Sequence, residues 1–131
     1  MTVHIDVADW VAIVFGSASS LTVADLGAMR TDVAVAALSV TRATVAGSDL
    51  YPDDHMKAAA LLSELLIRAP LSIDVFNREI AAVTTLMFLD QNGHAWRPSP
   101  THLPYWISET CRGRLGVHSL AQAIADECVC P

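Results

Sequence analysis

Residues 51–93, which read YPDDHMKAAALLSELLIRAPLSIDVFNREIAAVTTLMFLDQNG, decide the fold. They contain two apolar segments joined by the short loop 69–72. In the first segment, apolar residues at 58, 61, 62, 65 and 66 have the spacing of one helix face. The second segment, residues 80–89, contains no charge, and a helix that is apolar on nearly all sides is a buried one. The sequence therefore predicts a helical pair whose second member, about residues 73–92, is the buried central helix.

Start and stop signals bound both helices of this pair. The first is predicted to begin at Pro52, where proline loses no hydrogen bond, with two aspartates in its first turn that favour the helix dipole. Pro70 ends it, because the residue before a proline is disfavoured in helical conformation. The second helix is predicted to begin between Ser72 and Asp74, with one of these two as its cap. The pair Asn-Gly at 92–93 is a C-terminal signal.

Outside this stretch, helical spacing of apolar residues predicts four further helices, at residues 6–15, 22–38, 102–112 and 117–127. Asp6 is the expected cap of the first, residues 22–25 resemble a capping box, and residues 16–20 and 94–101 read as loops. The Val- and Thr-rich residues 40–46 leave a short strand or hairpin open. The prediction is one compact all-α domain of five or six helices over residues 1–131.

Composition excludes several classes of protein. The chain is 53% hydrophobic and 17% charged, which is too apolar for intrinsic disorder. A net charge of −6 argues against a nucleic-acid partner. No apolar run approaches the roughly 20 residues that span a bilayer, and the first residues lack a signal peptide, so we expect no membrane association and a cytoplasmic location. Three cysteines, of which Cys128 and Cys130 lie near the end, indicate neither a disulfide framework nor a metal site.

Several short motifs match one family in their order and spacing. They are Asp25-Leu-Gly27, Gly47-Ser-Asp-Leu-Tyr-Pro52, Lys57-Ala-Ala-Ala-Leu-Leu62, Leu86-Met-Phe-Leu-Asp-Gln-Asn-Gly93 and Gly113-Arg-Leu-Gly-Val-His-Ser-Leu-Ala121. This series resembles the Doc (death-on-curing) branch of the Fic fold and covers about residues 5–127.

The resemblance implies a toxin that uses a nucleoside triphosphate and is held by a partner antitoxin. Fic proteins transfer a nucleotide to a target hydroxyl, and Doc proteins transfer the terminal phosphate to a translation factor. Both use a loop of the form H-x-F-x-[D/E]-G/A-N-K/R. Its His is the general base, its acid holds Mg²⁺, its small residue and the helix start bind phosphate, and its basic residue neutralises charge.

The corresponding loop here, residues 69–79, departs from that pattern. The position of the His is Ala69, or Leu71 in an ungapped alignment, and neither accepts a proton. Val75 and Phe76 stand where the phosphate site needs Gly or Ala, so we expect their side chains to block phosphate.

The resemblance nevertheless leaves candidate site residues. The candidate catalytic residues are Asp74, Asn77 and Arg78, and the candidate substrate-binding residues are Tyr51, His55 and Glu79. Asp74 and Arg78 can instead pair with each other at helical spacing.

Other polar and aromatic residues can be interpreted as structural or as functional. Asp53, Asp54 and His55 form either a solvated helix start or an acid–base cluster. His94, His102 and His118 fall in different segments and read as separate surface residues. The aromatic residues near the prolines of residues 94–106, namely Trp96, Tyr105 and Trp106, either pin the loop or line a pocket.

Three functional hypotheses follow. The first is a Doc-like pseudoenzyme that has lost AMP and phosphate transfer and binds a protein partner, either antitoxin-like or a target protein, or serves other chemistry. The second is an active Doc-type toxin that uses Mg²⁺ and ATP, in which Asp74 binds the metal and Asn77 and Arg78 bind phosphate. The third is a small-molecule enzyme with a pocket between the central helices, where Thr84, Thr85, Glu64 or His55 supplies acid–base groups; no cofactor is expected outside the second.

Overall fold

The computed structural model describes residues 2–17 and 29–129, and this part of the chain contains six α-helices and two short antiparallel strand pairs. The helices are α1 (Val7–Ser17), α2 (Thr31–Leu38), α3 (Asp54–Arg68), α4 (Asp74–Gln91), α5 (His102–Cys111) and α6 (Val117–Asp126). The predicted all-α class is confirmed. In the described ranges, no helix is both long and apolar enough to span a membrane.

Helix α3 is the most enclosed element of the bundle. The Asp53 side chain caps it by accepting the Met56 N–H at 2.8 Å, so Pro52 lies before the cap rather than inside the helix as predicted. Eight of its residues are buried, among them all five of the predicted apolar face: Lys57, Ala58, Ala59, Ala60, Leu61, Leu62, Leu65 and Leu66. Helices α2, α4, α5 and α6 all pack against α3.

Helix α4 runs beside α3 over the residues predicted for the central helix and ends at Gln91, with Asn92 as its C-cap and Gly93 after it at a φ of 84°. It keeps one face open, because Leu86 and Met87 are 39% and 37% exposed. The central, enclosed helix is therefore α3, and the prediction that placed it at residues 73–92 was wrong. Its N-cap is Ile73, which makes no side-chain cap hydrogen bond. The predicted cap at Ser72 or Asp74 was therefore wrong, since the helix begins at Asp74 itself.

Helix α1 has the predicted cap. The Asp9 N–H donates to Asp6 Oδ1 at 2.9 Å, and the Asp6 N–H donates to Asp9 Oδ2 at 3.2 Å. The Asp9 backbone hydrogen bond holds the pKa of Asp6 below its usual value. The helix continues through Gly16 to Ser17, so the loop predicted from residue 16 begins too early.

The helix predicted over residues 22–38 is not continuous. Helix α2 begins at Thr31, and Arg30 before it is non-helical, with φ −97° and ψ 86°. This conformation lets the Arg30 N–H donate to the Pro70 carbonyl at 2.9 Å, which ties α2 to the α3–α4 turn. The predicted capping box at 22–25 lies outside the described residues.

Short strands occupy two of the predicted non-helical stretches. After a 3₁₀ turn at Ser39–Arg42, β1 (Thr44–Val45) and β2 (Ser48–Asp49) form the hairpin that the sequence left open. Ala46 and Gly47 between them both have positive φ, at 53° and 82°, as two-residue hairpin turns of type I′ require. In the predicted loop 94–101, β3 (Ala95–Trp96) pairs with β4 (Cys128–Val129).

Ala69, which ends α3, has a left-handed backbone with a φ of 46°. We predict that Ala69→Gly raises the free energy of unfolding by about 0.5–1 kcal/mol, because glycine has no Cβ penalty in this region. Ala12→Gly, at an exposed position inside α1, should instead lower it by about 1 kcal/mol. Urea unfolding measures both changes, and a destabilised Ala69→Gly would contradict the left-handed turn.

Candidate functional site

The loop between α3 and α4 is fastened to the body of the protein by its backbone carbonyls. Arg30 Nη2 donates to the carbonyl of Arg68 at 3.1 Å and to that of Ala69 at 2.8 Å. The resemblance calls for a general base at Ala69, or at Leu71 in an ungapped alignment; neither side chain carries a titratable group, and Leu71 is buried. Every polar contact at these positions is therefore made by the main chain and serves to hold the turn.

Asn77 closes the same turn from the first part of α4. It is 5% exposed, its Nδ2 donates to the Leu65 carbonyl at 3.2 Å, and its Oδ1 accepts the Leu71 N–H at 3.3 Å. Both ends of the carboxamide are thus bound to backbone groups of α3 and the loop. A buried amide with these partners satisfies a turn that would otherwise leave polar groups without hydrogen bonds.

Asp74, Arg78 and Glu79 share the exposed side of this helix start. Within the described chain they form no ion pair or side-chain hydrogen bond, so the pairing of Asp74 with Arg78 does not occur. Val75 is 71% exposed, whereas Phe76 packs against the core. Of the two side chains expected to fill the space at the helix start, Val75 therefore points to solvent.

A second polar cluster lies at the opposite end of α3, around Asp54. His94 Nε2 is 3.0 Å from Asp54 Oδ2, and the Thr2 hydroxyl donates to Asp54 Oδ1 at 3.3 Å. The ring of His94 packs on that of His55, with centroids 4.6 Å apart and planes inclined by 57°. The reading of His94 as a separate surface residue was therefore wrong: it joins the helix start that holds His55.

A cleft of about 340 Å³ opens beside this cluster, between the start of α3 and α6. His55 and His118 both line it, together with Asp53 and Gln122. The His55 Nε2 atom is buried and has no hydrogen-bond partner in the described part of the chain. Among the residues that the structure describes, no group of three or more His, Cys, Asp or Glu side chains is arranged to hold a metal ion.

Lys57, which sequence reasoning passed over, connects this end of α3 to the hairpin. The residue is 2% exposed, and its Nζ donates to Asp49 Oδ2 at 3.0 Å and to the carbonyl of Tyr51. Tyr51, a predicted substrate-binding residue, contributes this backbone oxygen. A lone lysine inside an apolar helix face is the signal that could have found the contact, because buried ammonium groups need partners.

The residues named for a pocket between the central helices have structural partners. The hydroxyls of Thr84 and Thr85 are fully buried and donate to the carbonyls of Ile80 and Ala81, at 2.6 and 2.8 Å. Glu64 pairs with Arg68 one turn later.

Two of the three aromatic residues near the prolines also make structural contacts. Trp96 is buried at 4% exposure, and Trp106 packs on the ring of His102 at 5.5 Å. Tyr105 is 61% exposed. The burial of Trp96 and the contact of Trp106 therefore stabilise this segment. His102 contacts Trp106 and lies apart from His94.

No protein-family model matches this chain, and no curated protein matches it.

Asn77 is buried and its sequence neighbour Arg78 is exposed, so alanine variants at these two positions make a matched comparison. We predict that Asn77→Ala lowers the free energy of unfolding by about 1–3 kcal/mol, because it leaves the Leu71 N–H without a partner and the Leu65 carbonyl with the Ala69 N–H alone. Arg78→Ala should change it by no more than about 0.5 kcal/mol, as at other exposed sites. Chemical unfolding of both variants measures the contrast, and equal effects would contradict a structural role for Asn77.

Proposed function

We propose that this protein is a Doc-like helical protein that does not transfer AMP or phosphate and that acts by binding a protein partner. Two findings support it: the series of motifs that resembles the Doc branch, and the structure of the loop at residues 69–79, where that branch has its active site. The observation that carries it is the buried Asn77 carboxamide, whose two ends are occupied by the Leu65 carbonyl and the Leu71 N–H.

Two further features of the loop support the loss of transfer. Ala69 offers no proton acceptor, and the carbonyls of Arg68 and Ala69 are held by Arg30. A general base has to reach the proton that it removes, and no side chain at position 69 can do so. A ligand that needed the Asn77 amide would have to break two hydrogen bonds of the turn.

The same region offers a surface suited to a protein partner. Three large apolar side chains are exposed at the end of α3 and the start of α4: Ile67 at 62%, Ile73 at 39% and Val75 at 71%. Arg78 and Glu79 add charges of both signs, and neither forms an ion pair with a residue that the structure describes. Exposed apolar groups that border charged ones are typical of protein interaction sites. We call residues 67, 73, 75, 78 and 79 the turn surface.

A second candidate function is an active toxin with a rearranged loop. The observation that favours it is that Asp74 and Arg78 are exposed on the first turn of α4 and are not paired with each other. In this alternative the Asp74 carboxylate holds Mg²⁺ and the Arg78 guanidinium holds phosphate. Mg²⁺ and ATP are its cofactors, and a translation factor is its target.

A label-transfer assay separates the two candidates. We predict that the purified protein, incubated with Mg²⁺ and either γ-labelled or α-labelled ATP, adds no label to translation factors above the background of a heat-treated sample. The physical reason is the absent base at position 69. Expression in cells should leave growth unchanged. Label transfer that Arg78→Ala abolishes would refute the proposal and support the active toxin.

Partner binding is tested by a photo-crosslinking residue placed at position 75 in one variant and at position 45 in another. Val75 and Val45 are both exposed valines, at 71% and 59%, but only Val75 belongs to the turn surface. We expect one discrete crosslinked protein from position 75 in cells and none from position 45. Crosslinking of equal strength and pattern from both positions would contradict a partner site on the turn surface.

A further inference from the structure

The cleft between the start of α3 and α6 lies at the end of α3 opposite the turn surface. Its volume is about 340 Å³. Small-molecule sites in proteins have volumes of roughly 300–1,000 Å³. Residues at the start of α3 form one wall, and one face of α6 forms the other. The cleft is therefore large enough for a small ligand and is bounded by two helices that are fixed in the bundle.

His55, in the α3 wall, has a hydrogen-bonding atom that is not used within the described chain. Its Nε2 is buried and has no partner there. Such atoms are rare in folded proteins, because a buried polar atom without a hydrogen bond costs free energy. The ring is held against His94 at a centroid distance of 4.6 Å, and His94 Nε2 lies 3.0 Å from Asp54 Oδ2. A positioned imidazole thus lines the cleft with one nitrogen unsatisfied.

The other polar groups of the cleft offer mainly hydrogen-bond acceptors. Asp53 uses its Oδ1 to accept the Met56 N–H at 2.8 Å, and its Oδ2 forms no hydrogen bond with a described residue. On the opposite wall, Gln122 donates its Nε2 to Asp126 Oδ1 at 2.8 Å, which leaves its Oε1 as an acceptor. No described lysine or arginine lines the cleft. A ligand that donates hydrogen bonds therefore suits these groups better than one that accepts them.

Charge and apolar lining narrow the ligand class further. An anion would meet the Asp53 carboxylate without a lysine or arginine to balance it, which is unfavourable. A metal ion would find no arrangement of three suitable side chains among the described residues. Met56, Ala121 and Ala125 add apolar surface between the polar groups. An organic cation with a short alkyl chain matches both the carboxylate and this apolar surface.

We propose that this cleft binds an alkylammonium group. The Asp53 carboxylate balances its charge, and the Gln122 carbonyl and His55 Nε2 accept its N–H groups after the His55 ring turns toward the ligand. The alkyl chain lies against Met56 and Ala121. The site is separate from the turn surface and does not depend on the function proposed there.

An NMR titration of the full chain with butylammonium chloride, at one fixed pH, tests the site. The probes are the imidazole signals of His55 and His118, which both line the cleft. We expect saturable shifts of both rings, with a dissociation constant on the order of 1 mM for so small a ligand. Butyrate has the same carbon chain with a negative charge. It should give no saturable shift, because it meets the Asp53 carboxylate.

The same chemical group occurs in free amines and in lysine side chains. A capped Ala-Lys-Ala peptide distinguishes these two sources, because it presents the ammonium on a polypeptide. Tighter binding of the peptide than of butylammonium indicates a lysine of another protein as the ligand. Tighter binding of butylammonium indicates a free amine.

Variants assign the contacts. Asp53→Asn keeps a helix cap, because Asn caps as well as Asp, but it removes the charge. It should weaken butylammonium binding on the order of tenfold through loss of a charge-assisted hydrogen bond. His55→Phe keeps a ring against His94 and removes Nε2, so binding followed at His118 should also weaken. Asp32→Asn, at an exposed aspartate in the first turn of α2, should match the parent protein.

Three results would overturn the site. Shifts of His55 and His118 that remain linear well beyond millimolar butylammonium show that the cleft has no defined site. Saturable binding of butyrate with equal affinity excludes selection of a cation. Equal affinities in Asp53→Asn, Asp32→Asn and the parent protein show that the Asp53 carboxylate does not hold the ligand.

Discussion

The burial of α3 is the constraint on which the rest of the structure depends. Residues 57–62 form an unbroken buried run, so α3 is covered all round over this part, and four other helices pack against it. A helix enclosed in this way fixes both of its ends in space. Polar side chains gather at its N-terminal end near Asp54 and at its C-terminal turn near Ala69.

The polar side chains at the two ends of α3 have different kinds of partner. At the C-terminal turn, Asn77 and Arg30 bind backbone groups. The side chains of the turn surface are exposed and form no ion pair within residues 2–17 and 29–129. At the N-terminal end, titratable side chains contact one another: Asp54 with His94, and His94 with His55. The C-terminal turn is therefore held by side chains bound to its backbone, whereas the opposite end brings two imidazoles and a carboxylate into contact.

Much of the fold could be predicted from local signals. The apolar periodicity of α3, the stop at Pro70 and the Asn-Gly pair after α4 act within a turn or two of where they occur, so the bounds of these helices follow from the sequence. The start of α2 at Thr31 could not, because it depends on Arg30 reaching the Pro70 carbonyl across the fold. The loop was predicted to begin at Gly16 because glycine disfavours helices, but this preference is weak and α1 continues to Ser17.

The candidate site was harder to predict for a related reason. The role of Asn77 depends on the Leu65 carbonyl and the Leu71 N–H, and backbone groups leave no mark in a sequence. The meeting of His55 with His94 depends on the end of α4 returning to the start of α3. Lys57 was recognisable only as part of a motif, although its burial against Asp49 is what anchors the hairpin.

We propose above all that the turn between α3 and α4 is structural and does not hold a nucleotide. The most direct measurement is an NMR titration of the full chain with ATP and Mg²⁺, following the backbone N–H signals of residues 74–79 and the side-chain amide of Asn77. We predict no saturable shift at these positions, because the Asn77 carboxamide stays bound to Leu65 and Leu71. Saturable shifts confined to residues 74–79 and the Asn77 amide would contradict the claim.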